Sequence, residues 1–284
     1  MSDATMSIAE ANAQMTAPGQ LFETQRDVVD GVAMTVWKNA PSTLRVLFDM
    51  SLGHGGAEFL VYEDQRYTFE QHYRIASRVA TRLCEYGVAT GDRVAIASRN
   101  LPQWVMSFWG AAVGGAVVVP INAWWTSEEI DYGLRDSSSS IVFVDPERLE
   151  RIIPLLDGLV DLSLVVVYRE NDARLAAPLP GHPRVSIITF DDFVGTVSDD
   201  EQPPDVEITG NDLATIFYSS GTTGHPKGVM GTHRNVCSNL MCTFFVGQRQ
   251  SQRFADTDPS AVRTSSSYLL SVPLFHATGC LAIL

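Results

Sequence analysis

From Thr68 to Tyr168 the chain alternates between segments of helical period and short, continuous apolar runs, and that alternation leaves few folds open. Thr68-x-x-Gln71 is a capping box, and behind it Phe69, Tyr73, Ala76, Ala80 and Leu83 recur at helical spacing as far as Gly87. Arg93–Ser98 reads as a short apolar strand. A helix follows Pro102, and then a strand at Val117–Val119 stopped by Pro120. A second capping box, Thr126-x-x-Glu129, opens a helix predicted to end near Ser137. Ile141–Val144 is a strand, the segment after Pro146 a helix, and Leu164–Tyr168 a strand. Strands alternating with helices predict an α/β fold, with largely parallel sheets and helices on both faces.

Leu101–Thr126 carries no charge, and Gly110 and Gly114 form a G-x-x-x-G, a pattern that also serves membrane helices. Its breakers point the other way. Pro102 suits a first helical turn, Gly114-Gly115 a helix end, and the valines beyond them a buried strand. The expectation is a buried helix feeding a central strand, with no transmembrane segment. The N-terminus has neither a basic start nor an apolar core, so it is not a secretory signal.

The 284 residues are enough for one large domain or about two, at roughly 100–200 residues each. Residues 1–20 read as a flexible tail, 21–200 as a first α/β lobe and 201–212 as an acidic, solvated connector. Residues 213–284 read as the start of a second α/β lobe. The segment Arg169–Arg184, with Pro178, Pro180 and Pro183, is a loop. A net charge of −13 is a poor match for nucleic acid, which needs clustered cations. The cysteines Cys84, Cys237, Cys242 and Cys280 make no C-x-x-C and read as free thiols in a reducing cytoplasm. His233 with Cys237, and His276 with Cys280, stand four apart and could share a metal, but two ligands are too few for a site.

The most informative stretch follows a strand at Leu213–Tyr218. It is Ser219-Ser-Gly-Thr-Thr-Gly-His-Pro-Lys-Gly228. Gly221, Gly224 and Gly228 permit positive φ and close backbone approach. Ser219, Ser220, Thr222 and Thr223 supply hydroxyls. Lys227 is one of only two lysines in the chain, with Lys38. Short donors in a concave turn plus one cation match a polyphosphate; a plain Gly/Ser/Thr turn is the structural alternative. The spacing is neither G-x-x-x-x-G-K-[ST], since Pro226 takes the place of the second glycine, nor G-x-G-x-x-G.

Tyr218–Val229 resembles the signature loop of the adenylate-forming superfamily, which includes acyl-CoA synthetases, firefly luciferase and peptide-synthetase adenylation domains. Thr232-His233-Arg234-Asn235 is similar to the start of the helix that follows this loop. Val272-Pro-Leu-Phe-His-Ala-Thr-Gly279 is similar to an aromatic/His segment beside the acyl pocket. Tyr67-Thr-Phe, Gly91-Asp-Arg-Val, Asn100 and Trp104 match an earlier family pattern. The resemblance runs from about residue 40 to the end. Ile121-Asn122-Ala-Trp124-Trp125 and the Pro273-Leu-Phe-His-Ala segment look most like bacterial fatty-acyl-CoA ligases. Aryl-CoA ligases and peptide-synthetase domains remain as alternatives.

The resemblance implies ATP-dependent activation of a carboxylic acid, fatty in the first instance, to an acyl-adenylate and then to acyl-CoA. The substrates are the carboxylic acid, ATP and coenzyme A, with Mg2+. Ser219, Ser220, Gly221, Thr222, Thr223, Gly224 and Lys227 would hold the phosphates, and Ser219 would also approach the metal. His276 would line the acyl pocket, with a hydrogen-bonded core histidine as the alternative. Cys280 stands where some long-chain relatives carry a gating tryptophan, which implies an open pocket. The family's further motifs and its mobile lid would fall beyond Leu284, and the chain stops inside the apolar run Cys280–Leu284. The expectation is the front part of a longer enzyme, inactive alone, with a non-catalytic or partner-binding product as the alternative. No catalytic residue is assigned within the chain.

Overall fold

The computed structural model describes residues 6–168, 178–219, 224, 226–254 and 267–284. Its elements begin with helix α1 (Ile8–Met15), strands β1 (Thr24–Val29) and β2 (Val32–Trp37), and helix α2 (Leu44–Ser51). Strands β3 (Glu58–Tyr62) and β4 (Gln65–Thr68), helix α3 (Phe69–Glu85), strand β5 (Arg93–Ala97) and helix α4 (Pro102–Val113) follow. Next come β6 (Val117–Ile121), α5 (Ser127–Asp136), β7 (Ile141–Val144), α6 (Pro146–Ile152), β8 (Leu164–Val167), β9 (Ser186–Thr189) and α7 (Phe190–Val194). The chain continues through β10 (Leu213–Ser219), β11 (Lys227–Thr232), α8 (His233–Phe254) and the short α9 (Ala277–Cys280).

Two units emerge, one of residues 43–233 with 270–284, the other of residues 1–42 with 234–269. The first holds a seven-stranded sheet in the order β11-β10-β6-β5-β7-β8-β9. Every pairing in it is parallel except β10 with β11. Period-2 alternation sorts its side chains. Ala95, Ala97, Val119, Ile121, Val142, Val144, Val165 and Val167 pack with Ile130 and Leu134 of α5 and Leu149 and Ile152 of α6. On the opposite face Phe143 meets Phe190 and Phe193 of α7. Covering both faces is what lets β7 and β8 be buried along their whole length.

Both predicted capping boxes form, at Thr68/Gln71 and Thr126/Glu129. The uncharged stretch is the expected buried helix, α4, running into β6. Its G-x-x-x-G is a packing device against α3: a Cβ on Gly110 would stand 2.5 Å from Val79 Cγ1 and 2.8 Å from the Ala76 carbonyl oxygen. Among the described residues no helix is long and apolar enough to cross a membrane.

Several expectations change. Pro120 does not stop its strand but lies within β6, opposite Ile96 of β5, while the β10 pairing is made earlier, at Thr215↔Val118. Residues 8–15 of the expected tail form α1, because Ser7 and Glu10 build a capping box and Ala11 and Met15 are buried. The boundary placed at 201–212 does not separate two sheets: β10 joins the sheet of the preceding segment. The acidic connector is docked rather than merely solvated. Arg45 donates to the carbonyls of Pro203 and Pro204, Tyr73 bonds Gln202, and Arg74 pairs with Asp199. Residues 268–272, an apolar run that reads in sequence as a further strand, form none.

In the second unit β1 and β2 pair across the turn Asp30-Gly31, both residues at positive φ, 50° and 80°. Asp-Gly between short apolar runs is a hairpin signal that the reading above passed over. Met15, Phe22 and Met241 of α8 form this unit's core, with Trp37 and Phe245 against them.

His72 lies between α3 and its neighbours, 2% exposed, ringed by Phe48, Phe59 and Trp109, with no partner at Nε2. Burial drives its pKa down to about 3, against a weaker opposing bond to the backbone at Val105. The native state therefore holds it neutral, while the unfolded chain protonates it below its ordinary value of 6.5. Its contribution to stability is full above that value and is lost as pH falls toward 3, by about 1.4 kcal/mol per pH unit. Denaturant midpoints measured between pH 7 and 4.5 should fall steeply, and His72→Phe should flatten the slope. Gly110→Val should cost ~3 kcal/mol through overpacking against α3, read from the same curves.

Candidate functional site

In a sheet of parallel strands, side chains and loops at the carboxyl ends share one edge, and ligands gather there. Four strands end at that edge with polar or aromatic residues just beyond: Asn100 after β5, Trp124 after β6, Asp145 after β7 and Ser219 at the end of β10. β5 neighbours both β6 and β7, so the chain reverses its direction of winding between β5 and β7. That crevice is already filled. Asp145 caps α6 by accepting from the Arg148 amide, accepts from the Arg99 amide at 3.0 Å, and pairs at 3.1 Å with the guanidinium of Arg148. Arg148 is 1% exposed and also donates to the Ala123 carbonyl at 2.6 Å. Arg148 Nη2 alone of these polar atoms is left without a partner, and the rest of the pair is tied into the structure.

The phosphate-type loop stands at the end of β10. It is the turn of a hairpin rather than a passage from strand to helix: β10 pairs antiparallel with β11 in a register that sets Ser219 opposite Lys227. Ser220, Gly221, Thr222 and Thr223 lie outside the described residues. Ser219 is exposed, and its Oγ donates to the Lys227 carbonyl at 3.4 Å, a long bond. Lys227 is exposed at the first position of β11. Gly224 takes φ +122°, with open space where a Cβ would stand. Returning the strand is what demands the other glycines. A Cβ at Gly228 would lie 2.9 Å from Ile216 Cγ2, and one at Gly231 2.9 Å from Thr215 Oγ1. The flanks are tied to α5. Tyr218 donates through Oη to Asp136 Oδ2 at 2.7 Å, and Tyr132 donates to the Pro226 carbonyl at 3.0 Å. Burial, then the bond to Asp136, pushes the Tyr218 phenol well up, so it stays a donor.

The described part of the loop fits a polyphosphate in kind. It offers an exposed hydroxyl, an exposed ammonium and, at Gly224, a φ of +122° that side-chain-bearing residues rarely adopt. At the foot of the hairpin His233 is fully buried. Its Nδ1 accepts from the Leu44 amide at 3.1 Å and its own N–H donates to the Asp212 carbonyl at 3.0 Å. With Nδ1 accepting, the ring proton sits on Nε2, which has no partner. Burial pushes the Cys237 thiol up to about 11. Among the described residues no group of three or more His, Cys, Asp or Glu converges.

The Val272–Gly279 segment is held over the same edge by Asn100. Its Nδ2 donates to the Val272 carbonyl at 3.0 Å, and its Oδ1 accepts from the Leu274 amide at 2.8 Å. Trp109 donates to the Ile283 carbonyl at 3.2 Å. Gly279 turns so close that a Cβ would stand 2.2 Å from the Pro273 carbonyl oxygen. His276 is exposed, its ring tilted against Phe275, which in turn takes the exposed Trp124 edge-on at 5.1 Å. Cys280 is buried, and burial pushes its thiol far up. The hydroxyl ties of Tyr132 and Tyr218 were not anticipated: nothing in their spacing marks them apart from core aromatics.

The model of one protein family, the AMP-binding enzymes, matches residues 48–284. The chain belongs to that family. A 4-hydroxybutyrate–CoA ligase of Metallosphaera sedula is 30% identical over 220 residues, 78% of this chain and 37% of the relative. The long-chain-fatty-acid–CoA ligase FadD13 of Mycobacterium tuberculosis is 32% identical over 228 residues, 78% of this chain and 38% of that protein. The chain thus spans less than two fifths of the length of either relative. The crystal structure of the N-terminal domain of FACL13 from Mycobacterium tuberculosis superposes with TM-score 0.61 at 28% identity, over 86% of this chain and 54% of that one. A putative long-chain-fatty-acid CoA ligase from Rhodopseudomonas palustris shares the fold, with TM-score 0.68 at 21% identity, over 85% of this chain and 54% of that one.

Asn100→Ala removes both sides of the amide clamp. It should cost ~2 kcal/mol and raise deuterium uptake at residues 270–274 ahead of the rest of the sheet, measured by hydrogen exchange.

Proposed function

We propose that this chain holds the polyphosphate of ATP in the Ser219–Lys227 turn, as part of a protein that activates a carboxylic acid and passes it to coenzyme A. The observation that carries the reading is the hairpin at the end of β10. It sets an exposed Lys227 beside Ser219, with the turn at Gly224 free of any side chain. Family membership agrees with it.

In the first half-reaction a carboxylate oxygen attacks the α-phosphorus of ATP. The bond to the β-phosphate breaks and pyrophosphate leaves. In the second, the thiol of coenzyme A attacks the acyl carbon, and AMP leaves with the electrons of the broken C–O bond. The protein's share in such displacements is alignment and charge neutralisation. Lys227 balances the charge that gathers on the leaving pyrophosphate. The hydroxyls of Ser219, Ser220, Thr222 and Thr223, with the amides around Gly221 and Gly224, hold its oxygens. Bound Mg2+ would supply further charge neutralisation. Ser219 would offer it one oxygen.

A fatty acid is the carboxylate this reading favours, on the likeness of Ile121–Trp125 to fatty-acyl ligases and on relatives that bear that name. The same reading gives His276 and Cys280 to the acyl pocket; His276 is exposed and Cys280 buried. The four free cysteines suit a reducing compartment, and the reading places the protein in the cytoplasm.

Carboxylate-dependent exchange of pyrophosphate into ATP tests this in the whole protein. Lys227→Ala should slow exchange by ~10²-fold, the usual loss for one charge-stabilising donor. An unchanged rate overturns the phosphate role.

A further inference from the structure

We propose that Tyr132 is a positioning residue for the phosphate loop, holding the loop's exit so that Lys227 meets the polyphosphate; this rests on the reading of the loop given above. Its hydroxyl donates to the Pro226 carbonyl at 3.0 Å, one residue before Lys227. A proline has a fixed φ and no N–H, so the carbonyl is the only handle on that residue's backbone. The peptide that carries this carbonyl is planar and ends on the nitrogen of Lys227. Holding the oxygen therefore restrains where the nitrogen and Cα of Lys227 stand.

The other flank is tied to the same helix. Tyr218, the residue before Ser219, donates to Asp136 Oδ2 at 2.7 Å and to the Gly133 carbonyl at 3.3 Å. Tyr132 and Asp136 are four apart, on one face of α5. The two phenol rings meet edge-on at 6.4 Å. Entry and exit of the loop thus hang from one rigid support, which is itself capped by Thr126 and Glu129 and packed into the sheet through Ile130 and Leu134. Tyr132 is half-buried with its hydroxyl turned to Pro226, so it is set to act through the backbone. A support of this kind matters because small misplacements of a phosphate donor are costly in rate.

The test uses the 284-residue chain and its Tyr132→Phe variant, which keeps the ring and removes one oxygen. Magnesium tripolyphosphate is the probe in isothermal titration, with melting and hydrogen exchange run alongside. The variant should bind about five-fold more weakly, the equivalent of one net hydrogen bond, at an unchanged melting temperature. Deuterium uptake should rise at residues 227–229 and not across the sheet. Equal affinity with equal uptake overturns the proposal. So does a weaker variant whose melting point and uptake deteriorate throughout, because that is a structural loss. If the parent chain takes no tripolyphosphate, the phosphate reading fails on its own account. The exchange comparison then decides Tyr132 alone: equal uptake at residues 227–229 overturns its hold on the loop, and a local rise upholds it.

Discussion

The parallel pairing of β10 with β6 is the contact on which the rest of the arrangement depends. It is made after a long excursion, since β9 closes the far edge of the sheet and the chain must return past β8, β7 and β5 to reach β6. The connector crosses that distance along anchors from α2 and α3, chiefly Arg45 and Tyr73. Because β10 enters parallel, its carboxyl end opens on the same edge as those of β5, β6 and β7. An antiparallel entry would have carried Ser219 to the opposite edge, away from Asn100 and the segment it clamps. With the crevice between β5 and β7 closed by Asp145 and Arg148, the end of β10 is where this edge has polar groups to spare.

β11 then runs back antiparallel, and the geometry of that return explains residues that a phosphate argument alone would misread. Gly228 belongs to the signature in sequence, yet its neighbours are Ile216 and the ring of Tyr218, so its smallness serves the pairing of two strands. Gly224, with positive φ and open surroundings, serves the turn itself. One motif therefore mixes two demands, cross-strand clearance at Gly228 and a positive-φ turn at Gly224.

Much of the sheet was legible because its strands are buried on both faces and its helices carry local start signals. Thr68, Thr126 and Pro102 announce their helices within a few residues. Features whose cause lies far along the chain were not legible. Pro120 looked like a stop because proline lacks a donor, but whether a donor is needed there depends on where β10 pairs, almost a hundred residues on. Residues 268–272 carry the apolar character of a strand, but two bonds from Asn100 hold the segment in place of a ladder. The loop's stock of hydroxyls, glycines and a rare lysine was legible at once. Its hairpin shape was not, since Lys227–Thr232 has two glycines and little of a strand's usual composition.

The scarcity of lysine has a practical side. Lys38 is ion-paired to Glu23 at 2.7 Å on the unit that contains the β1–β2 hairpin, while Lys227 is exposed at the start of β11. Apart from the α-amino terminus, the chain offers an amine-directed reagent two targets, and one of them is the residue that carries the loop's positive charge. Arginine supplies the rest of the cationic surface and is inert to such reagents. Acylation of this protein therefore reaches few amines, and the charge of Lys227 is among those it neutralises without touching the gene. Protection of one amine against modification is a direct gauge of whatever occupies the turn.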